Sequence, residues 1–159
     1  MTSTVKLDTQ VVVIYGAVVQ KIDINLHKNM NITWKRGSHI DESVINEVET
    51  TFGISLPDDY KKVIAENNNA RPSISTFDTE VSKEHVFKKL LSLKNEDIEN
   101  VYKAKKVLST VDDSLFPFAN DPAGNLICLK NGTVVYWLHE DDSILKVANS
   151  FTEFLSSLY

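Results

Sequence analysis

The sequence FPFANDPAGNLICLKNGTVVYWLH, residues 116–139, predicts a turn, a β-hairpin and a polar tip, in that order. Residues 121–125, DPAGN, have the composition of a tight turn, and Leu126–Leu129 is an apolar strand. Asn131-Gly132 then offers the two positive-φ positions that a two-residue type I′ loop needs. Val134–Leu138 is the return strand, so the stretch predicts an antiparallel pair.

A shorter stretch, GISLPDDY at residues 53–60, predicts a corner between two helices. The first helix follows Ser38-x-x-Asp41, which resembles a capping box, and its apolar stripe reaches Phe52. Gly53 is typical of a helix C-terminus, and Pro57 suits the first position of the next helix. The corner turns its apolar side chains inward.

The remaining segments predict a mixture of short strands and helices. Candidate strands are 74–77, 86–93 and 144–148. Asn95 is expected to cap a third helix over 96–108 whose apolar side includes Ile98, and Ser150-x-x-Glu153 forms a capping box before a closing amphipathic helix. Helices before and after a run of antiparallel strands predict the α+β class, with a central sheet of about five or six strands flanked by helices in a single domain.

Residues 1–29 differ from the rest of the chain. Val11–Tyr15 and Ile22–Leu26 have strand-like composition, and Met30 stands just ahead of the segment that resembles a known domain. We therefore expect residues 1–29 to be an accessory N-terminal extension, either an added hairpin or a mobile segment, and residues 30–159 to be the main domain.

The net charge of −5 lies entirely between residues 110 and 145, which hold six acids and one base. Two interpretations remain open: the aspartates are turn residues, or they form an acidic face that meets a basic partner. No basic stripe is present, which argues against direct binding of nucleic acid. The most apolar run, 11–19, is too short to span a bilayer and lacks a signal-peptide pattern, so we expect a cytoplasmic protein without membrane contact.

Little in the sequence predicts catalysis or a metal. The four histidines (His27, His39, His85, His139) have no ligand spacing, and the lone Cys128 lies in an apolar strand without electropositive neighbours. We therefore expect no enzyme activity and no cofactor. His139, Glu140, Asp141 and Asp142 form the one suggestive cluster, which is interpreted as a solvated tip, a partner contact or a metal site.

Three further residues are candidate partner contacts. Asp121 and Asn125 either hydrogen-bond local backbone or contact a ligand from the loop. Tyr136 and Trp137 alternate along a strand, so if Trp137 faces the core, Tyr136 faces solvent as an interface anchor. The complete set of candidate partner-binding residues is Asp121, Asn125, Tyr136, His139, Glu140, Asp141 and Asp142.

The order of these motifs resembles the SUKH superfamily, which includes the yeast Smi/Knr cell-wall regulators and many bacterial toxin-immunity proteins. The resemblance rests on Pro-Phe-Ala at 117–119, the turn at 121–125, Val-Val-Tyr-Trp-Leu-His-Glu at 134–140 and the helix corner, and it spans about residues 34–159. Asn67-Asn68-Asn69 departs from the Asn-Gly-Gly usual in the family. The signature positions are Trp34, Gly53, Leu56, Pro57, Tyr60, Gly124, Gly132, Trp137 and Phe151.

The resemblance implies a cytoplasmic immunity protein that binds and neutralises a cognate toxin, with a basic nuclease domain as the expected partner. The alternative that it implies is a regulatory scaffold of the Smi/Knr kind, acting in cell-wall signalling. An acidic protein can be steered onto a basic nuclease, so the charge of residues 110–145 agrees with the first expectation.

Overall fold

A computed structural model describes residues 2–7, 10–15, 18–23 and 32–159, the first three ranges as backbone only. These three ranges are strands β1 (Thr2–Leu7), β2 (Gln10–Tyr15) and β3 (Val18–Asp23), which pair antiparallel in the order β1-β2-β3. The strand predicted at Val11–Tyr15 lies within β2. The strand predicted at Ile22–Leu26 overlaps β3 at two residues, and positions 24–26 lie outside the described residues.

The main sheet has five strands: β8 (Lys89–Leu90), β9 (Phe116–Asn120), β10 (Leu126–Lys130), β11 (Thr133–Trp137) and β12 (Ile144–Ala148). Their order is β12-β11-β10-β9-β8, and every pairing is antiparallel. Asn131 and Gly132 join β10 to β11 with φ values of 50° and 84°, which confirms the predicted turn.

Residues 32–159 also form two small two-stranded ribbons. Strand β4 (Trp34–Lys35) pairs with β5 (Arg71–Pro72), and β6 (Thr76–Phe77) pairs with β7 (His85–Val86). The single strand predicted over 86–93 is wrong. The chain pairs with β6 up to Val86 and with β9 from Lys89, so it changes sheets in the middle of the apolar run.

Within residues 32–159, four helices flank the strands: α1 (Glu42–Phe52), α2 (Asp58–Asn67), α3 (Val101–Leu108) and α4 (Phe151–Ser157). Gly53 ends α1 in the left-handed conformation at φ 64°, as predicted. Pro57 is the N-cap of α2 rather than its first residue. The capping box predicted at Ser38 is wrong, because Asp41 is the N-cap of α1 and the backbone of Ser38 exchanges two hydrogen bonds with that of Asn68.

Helix α3 begins at Val101, five residues later than predicted. The Asn100 side chain accepts a hydrogen bond from Lys103 N (2.9 Å) and donates to the carbonyls of Asn95 and Asp97. Asn100 is therefore the true cap, and residues 95–100 form a turn held by its amide. The prediction that Ile98 lies on the apolar side of this helix is wrong, since Ile98 is 86% exposed.

One continuous hydrophobic core lies between the helices and the main sheet. Tyr60 is fully buried and makes T-shaped ring contacts with Phe116, Phe118 and Phe151. Trp34 is half-buried against Phe87 at a ring-centroid distance of 6.0 Å. Helices and antiparallel strands sharing this core confirm the predicted α+β class.

The main sheet is covered on both faces. Helix α3 packs on β9, and α4 packs on β11 and β12. Asp59 of α2 joins this second layer, because its Oδ2 accepts hydrogen bonds from the backbone N (2.9 Å) and Oγ1 (2.7 Å) of Thr152 in α4. Residues on either face of β10 and β11 are therefore buried, including Tyr136, which was expected to face solvent.

Candidate functional site

The turn between β9 and β10 is built around the Asp121 carboxylate. Its Oδ1 accepts hydrogen bonds from the backbone N of Ala123 and of Asn125, both at 2.8 Å. Its Oδ2 accepts from Asn125 Nδ2 (2.8 Å) and from the hydroxyl of Tyr136. Gly124 has φ 90°, as the turn requires. The interpretation that Asp121 bonds local backbone is confirmed.

Tyr136 lies inside this network rather than on the surface. Its side chain is 2% exposed, and its ring contacts those of Phe77 and His85. Burial and the hydrogen bond to Asp121 both raise the pKa of the hydroxyl. The expectation that Tyr136 faces solvent is wrong because the sheet is covered on both faces, so Trp137 and Tyr136 are both buried.

The buried network also excludes two other predicted contacts from the surface. Asp121 and Asn125 are 6% and 9% exposed, and their polar atoms are already hydrogen-bonded within the chain. Asn125 Oδ1 accepts from the backbone N of His139 (3.0 Å), which ties the β9–β10 turn to the β11–β12 loop. Asp121, Asn125 and Tyr136 therefore position the β11–β12 loop, which carries the remaining candidate residues.

That loop, residues 139–142, is the acidic tip. Asp142 adopts φ 60°, and its Oδ1 accepts a hydrogen bond from the indole Nε1 of Trp137 (3.0 Å). Asp141 accepts from the backbone N of Ser143 (3.0 Å), which lowers the pKa of its carboxyl. His139, Glu140, Asp141 and Asp142 are all exposed. The structure thus brings the four clustered candidates together on one ordered loop.

The acidic tip is where the excess charge of the chain meets solvent. Asp112 pairs with Lys130 (2.9 Å), and Asp113 pairs with Lys105 (3.6 Å). Hydrogen bonds from Ser114 and Lys130 lower the pKa of Asp112 to about 2. Within residues 32–159, Glu140, Asp141 and Asp142 form no ion pair. The unpaired acidic residues of the segment 110–145 that are exposed therefore lie on this loop.

A groove of about 300 Å³ opens beside the acidic tip. One wall is α3 with the turn before it, and the floor is the open end of the β10–β11 hairpin, where Leu126 pairs with Trp137. His139 belongs to both the groove and the tip. The residues that line its apolar surface are Leu91, Ile98, Ala104, Val107, Leu126 and Trp137.

Ile98 and Val107 were missed as site residues, although they are the exposed apolar side chains of the groove. Ile98 is 86% exposed and Val107 is 55% exposed. Large apolar side chains grouped on a concave surface are typical of interaction sites. The signal available in the sequence was Asn100 as a cap, which would have placed Ile98 in a turn before the helix.

The chain is similar in sequence to a protein family and to a bacterial relative. The sequence model of the SMI1 / KNR4 family (SUKH-1) matches residues 39–157, which include helices α1 to α4 and the whole main sheet. The chain belongs to this family. A related protein is the SPbeta prophage-derived uncharacterized protein YokK of Bacillus subtilis (strain 168), which is 28% identical over 138 residues, with 72% of each chain covered.

SUKH-1 proteins are protein-interaction proteins, including immunity proteins and the SMI1/KNR4 members, and the predicted resemblance is confirmed. The signature residues Leu56, Tyr60, Trp137 and Phe151 are buried in the core. Gly53, Gly124 and Gly132 all have positive φ. These signature residues therefore serve the fold. Of the signature residues, Gly124 and Trp137 also line the groove, and none lies in the acidic tip.

In this SUKH-1 domain, metal binding would require clustered ligand side chains, and covalent chemistry would require an activated nucleophile. Across residues 32–159, no group of three or more His, Cys, Asp or Glu side chains could hold a metal ion. Cys128 is fully buried, and this burial raises the pKa of its thiol. Ser82 Oγ lies 2.7 Å from His85 Nε2, but the same hydroxyl lies 2.8 Å from Thr79 Oγ1 within a turn. In the described part of the chain, no helix is both long and apolar enough to cross a membrane.

Proposed function

We propose that this protein is a cytoplasmic immunity protein that binds a cognate protein toxin, with a basic nuclease domain as the toxin, and blocks its activity. The observation that carries the proposal is the acidic tip of a SUKH-1 domain: exposed carboxylates without ion-pair partners in residues 32–159, held on an ordered loop. A nuclease that binds nucleic acid presents basic groups around its substrate groove. An acidic protein is steered towards such a surface and covers it.

The prophage-derived relative supports immunity over cell-wall signalling. That relative comes from a bacterium. The SUKH superfamily includes many bacterial immunity proteins, whereas its Smi/Knr regulators are yeast proteins. We propose that residues 30–159 form the binding unit and that residues 1–29 are an accessory extension.

The direct test is co-expression with a candidate toxin domain, taken from a gene adjacent to that of this protein. The protein is expected to restore growth of cells that produce the toxin, and the purified protein to inhibit cleavage of nucleic acid by the purified toxin. A toxin that remains active and unbound at saturating concentrations of this protein would contradict the proposal. A catalytically inactive toxin variant serves as the control for growth effects unrelated to nuclease activity.

A further inference from the structure

The groove beside the acidic tip has the features of an anchor site. Of the large apolar side chains exposed in residues 32–159, Ile98 and Val107 both lie on this groove. They do not pack into the core, whereas the Trp137 and Leu126 side chains beneath them do. Burying them against a partner removes apolar area from water without disturbing the fold.

Hydrogen bonds join the groove to the acidic tip. The indole of Trp137, which lines the groove, donates to the carboxylate of Asp142 in the tip. His139 lines the groove, and its backbone N donates to Asn125. A surface held in place before binding loses little conformational entropy on association.

The charges around the groove indicate the nature of its occupant. Glu140 and Asp141, next to His139, have no ion-pair partner in residues 32–159. Glu99 on the opposite side pairs with Lys88 at 3.3 Å, and Lys103, which lines the groove, donates to the carbonyl of Ile98 at 3.3 Å. The Lys103 ammonium keeps its positive charge, because its acceptor is a neutral carbonyl. Asp142 also has no ion-pair partner in residues 32–159, so the unpaired charge of the groove and the acidic tip together is net negative. Net negative charge repels a phosphate backbone or an anionic lipid surface and attracts lysine and arginine.

We propose that this groove is the docking site for a protein segment that inserts an aliphatic or aromatic side chain between Ile98 and Val107 while its flanking lysine or arginine residues face Glu140 and Asp141. This inference rests on the proposed function, because the segment belongs to the toxin. Contacts in the groove mainly slow dissociation of the complex, and the charge of the acidic tip mainly speeds its association.

The first test measures binding of the adjacent-gene toxin domain to neutral variants, so that apolar contact changes without charge. Ile98→Ser and Val107→Ser are each expected to raise the dissociation constant about tenfold, mainly through faster dissociation. Val81→Ser is the matched control, because Val81 is 76% exposed but lies on the β6–β7 loop outside the groove. Equal affinities for all of these variants and the unmodified protein would overturn the groove while leaving the immunity function intact.

A second test does not depend on the toxin. Trp34→Phe leaves Trp137 as the one tryptophan of the chain, so its indole resonance reports on the groove. The probe is the peptide acetyl-Arg-Leu-Arg-amide, compared with acetyl-Arg-Ser-Arg-amide. In an NMR titration, the leucine peptide is expected to change the chemical shift of the Trp137 indole resonance in a saturable way, and the serine peptide to change it much less. This result supports the groove as a docking site even if no toxin binds. Equal shifts with both peptides, or no saturable shift with the leucine peptide, would overturn it.

The alternative occupant of the groove is a second copy of this chain. Analytical ultracentrifugation of the free protein tests this alternative by measuring the protein's oligomeric state. A monomer agrees with the proposal. A dimer that Ile98→Ser dissociates would overturn it, because the groove would then be a self-association surface.

Discussion

Two buried tyrosines should respond to loss of their hydroxyl groups with opposite signs. Tyr60 is fully buried, and its hydroxyl has no hydrogen-bond partner in the described residues. Tyr136 is 2% exposed, and its hydroxyl donates to Asp121 and accepts from Asn125 Nδ2 at 3.2 Å. Replacement by phenylalanine removes one oxygen from each and leaves both rings in place.

The magnitudes follow from the hydrogen bonds present. Tyr136→Phe removes a hydrogen bond to a carboxylate, while Asp121 and Asn125 keep their bond to each other, so we expect the free energy of unfolding to fall by about 2 kcal/mol. Tyr60→Phe removes a buried hydroxyl whose desolvation is uncompensated. Because the small space left behind offsets part of the gain, we expect stability to rise by up to about 1 kcal/mol.

Urea denaturation of the two variants and the unmodified protein measures this difference directly. The midpoints should move in opposite directions with an unchanged dependence on urea concentration. A Tyr60→Phe variant that loses as much stability as Tyr136→Phe would show that the Tyr60 hydroxyl is satisfied in solution. A neutral Tyr136→Phe would show that the network around Asp121 does not stabilise the fold.

Three further predictions concern the turn, the N-terminal segment and acid stability. Gly132→Val should lower the free energy of unfolding by roughly 1 kcal/mol or more, because φ at this position is 84°, and Gly132→Asn should lower it less. An unchanged melting temperature for the valine variant would show that the assigned turn is wrong. Removal of residues 1–29 should leave one cooperative thermal transition, since the five-stranded sheet and the core lie within residues 32–159; an insoluble product contradicts this. The lowered pKa of Asp112, about 2 against an ordinary 3.8, stabilises the fold above pH 3.8, and this contribution disappears as pH falls through 2. Asp112→Asn should therefore be destabilised near neutral pH, with the deficit shrinking in acid; a deficit that does not change with pH counts against the Lys130 pairing.

Features set by neighbouring residues could be predicted from the sequence. Gly53 ends α1, Asn131-Gly132 forms the hairpin turn, and the Ser150 hydroxyl accepts a hydrogen bond from Glu153 N at 3.0 Å. Each depends on backbone conformations that only a few residue types adopt easily. The bonds from Asp121 to the backbone of its own turn belong to the same class.

Features set by distant contacts could not be predicted in the same way. The burial of Tyr136 depends on Phe77 and His85, which are more than fifty residues earlier in the chain. The exposure of Ile98 follows from the competition between Asn95 and Asn100 for the helix start, and the amide bonds of Asn100 decide it. Alternation along a strand predicts one solvent-facing side only where a single face is covered, and here both are.

The part of the candidate site that follows from local sequence is the acidic tip, and the part that does not is the groove. Glu140 and Asp141 are exposed, as expected from a polar strand end. Asp142 is also exposed, but its bond to Trp137 makes it a structural residue of the loop. Charge reversal at Asp142 would disturb the groove as well as the charge, so Glu140 is the better position for an electrostatic test.

The association rate of Glu140→Lys with the adjacent-gene toxin domain, measured across a range of salt concentrations, tests the central claim most directly. Glu47→Lys is the matched control, since Glu47 is exposed on α1 and the change in net charge is the same. Glu140→Lys is expected to slow association at low salt, and the difference from the unmodified protein is expected to narrow as salt screens the charges. Glu47→Lys is expected to have a much smaller effect on the association rate. Equal association rates for both variants and the unmodified protein, or no binding of the toxin by the unmodified protein, would contradict the central claim.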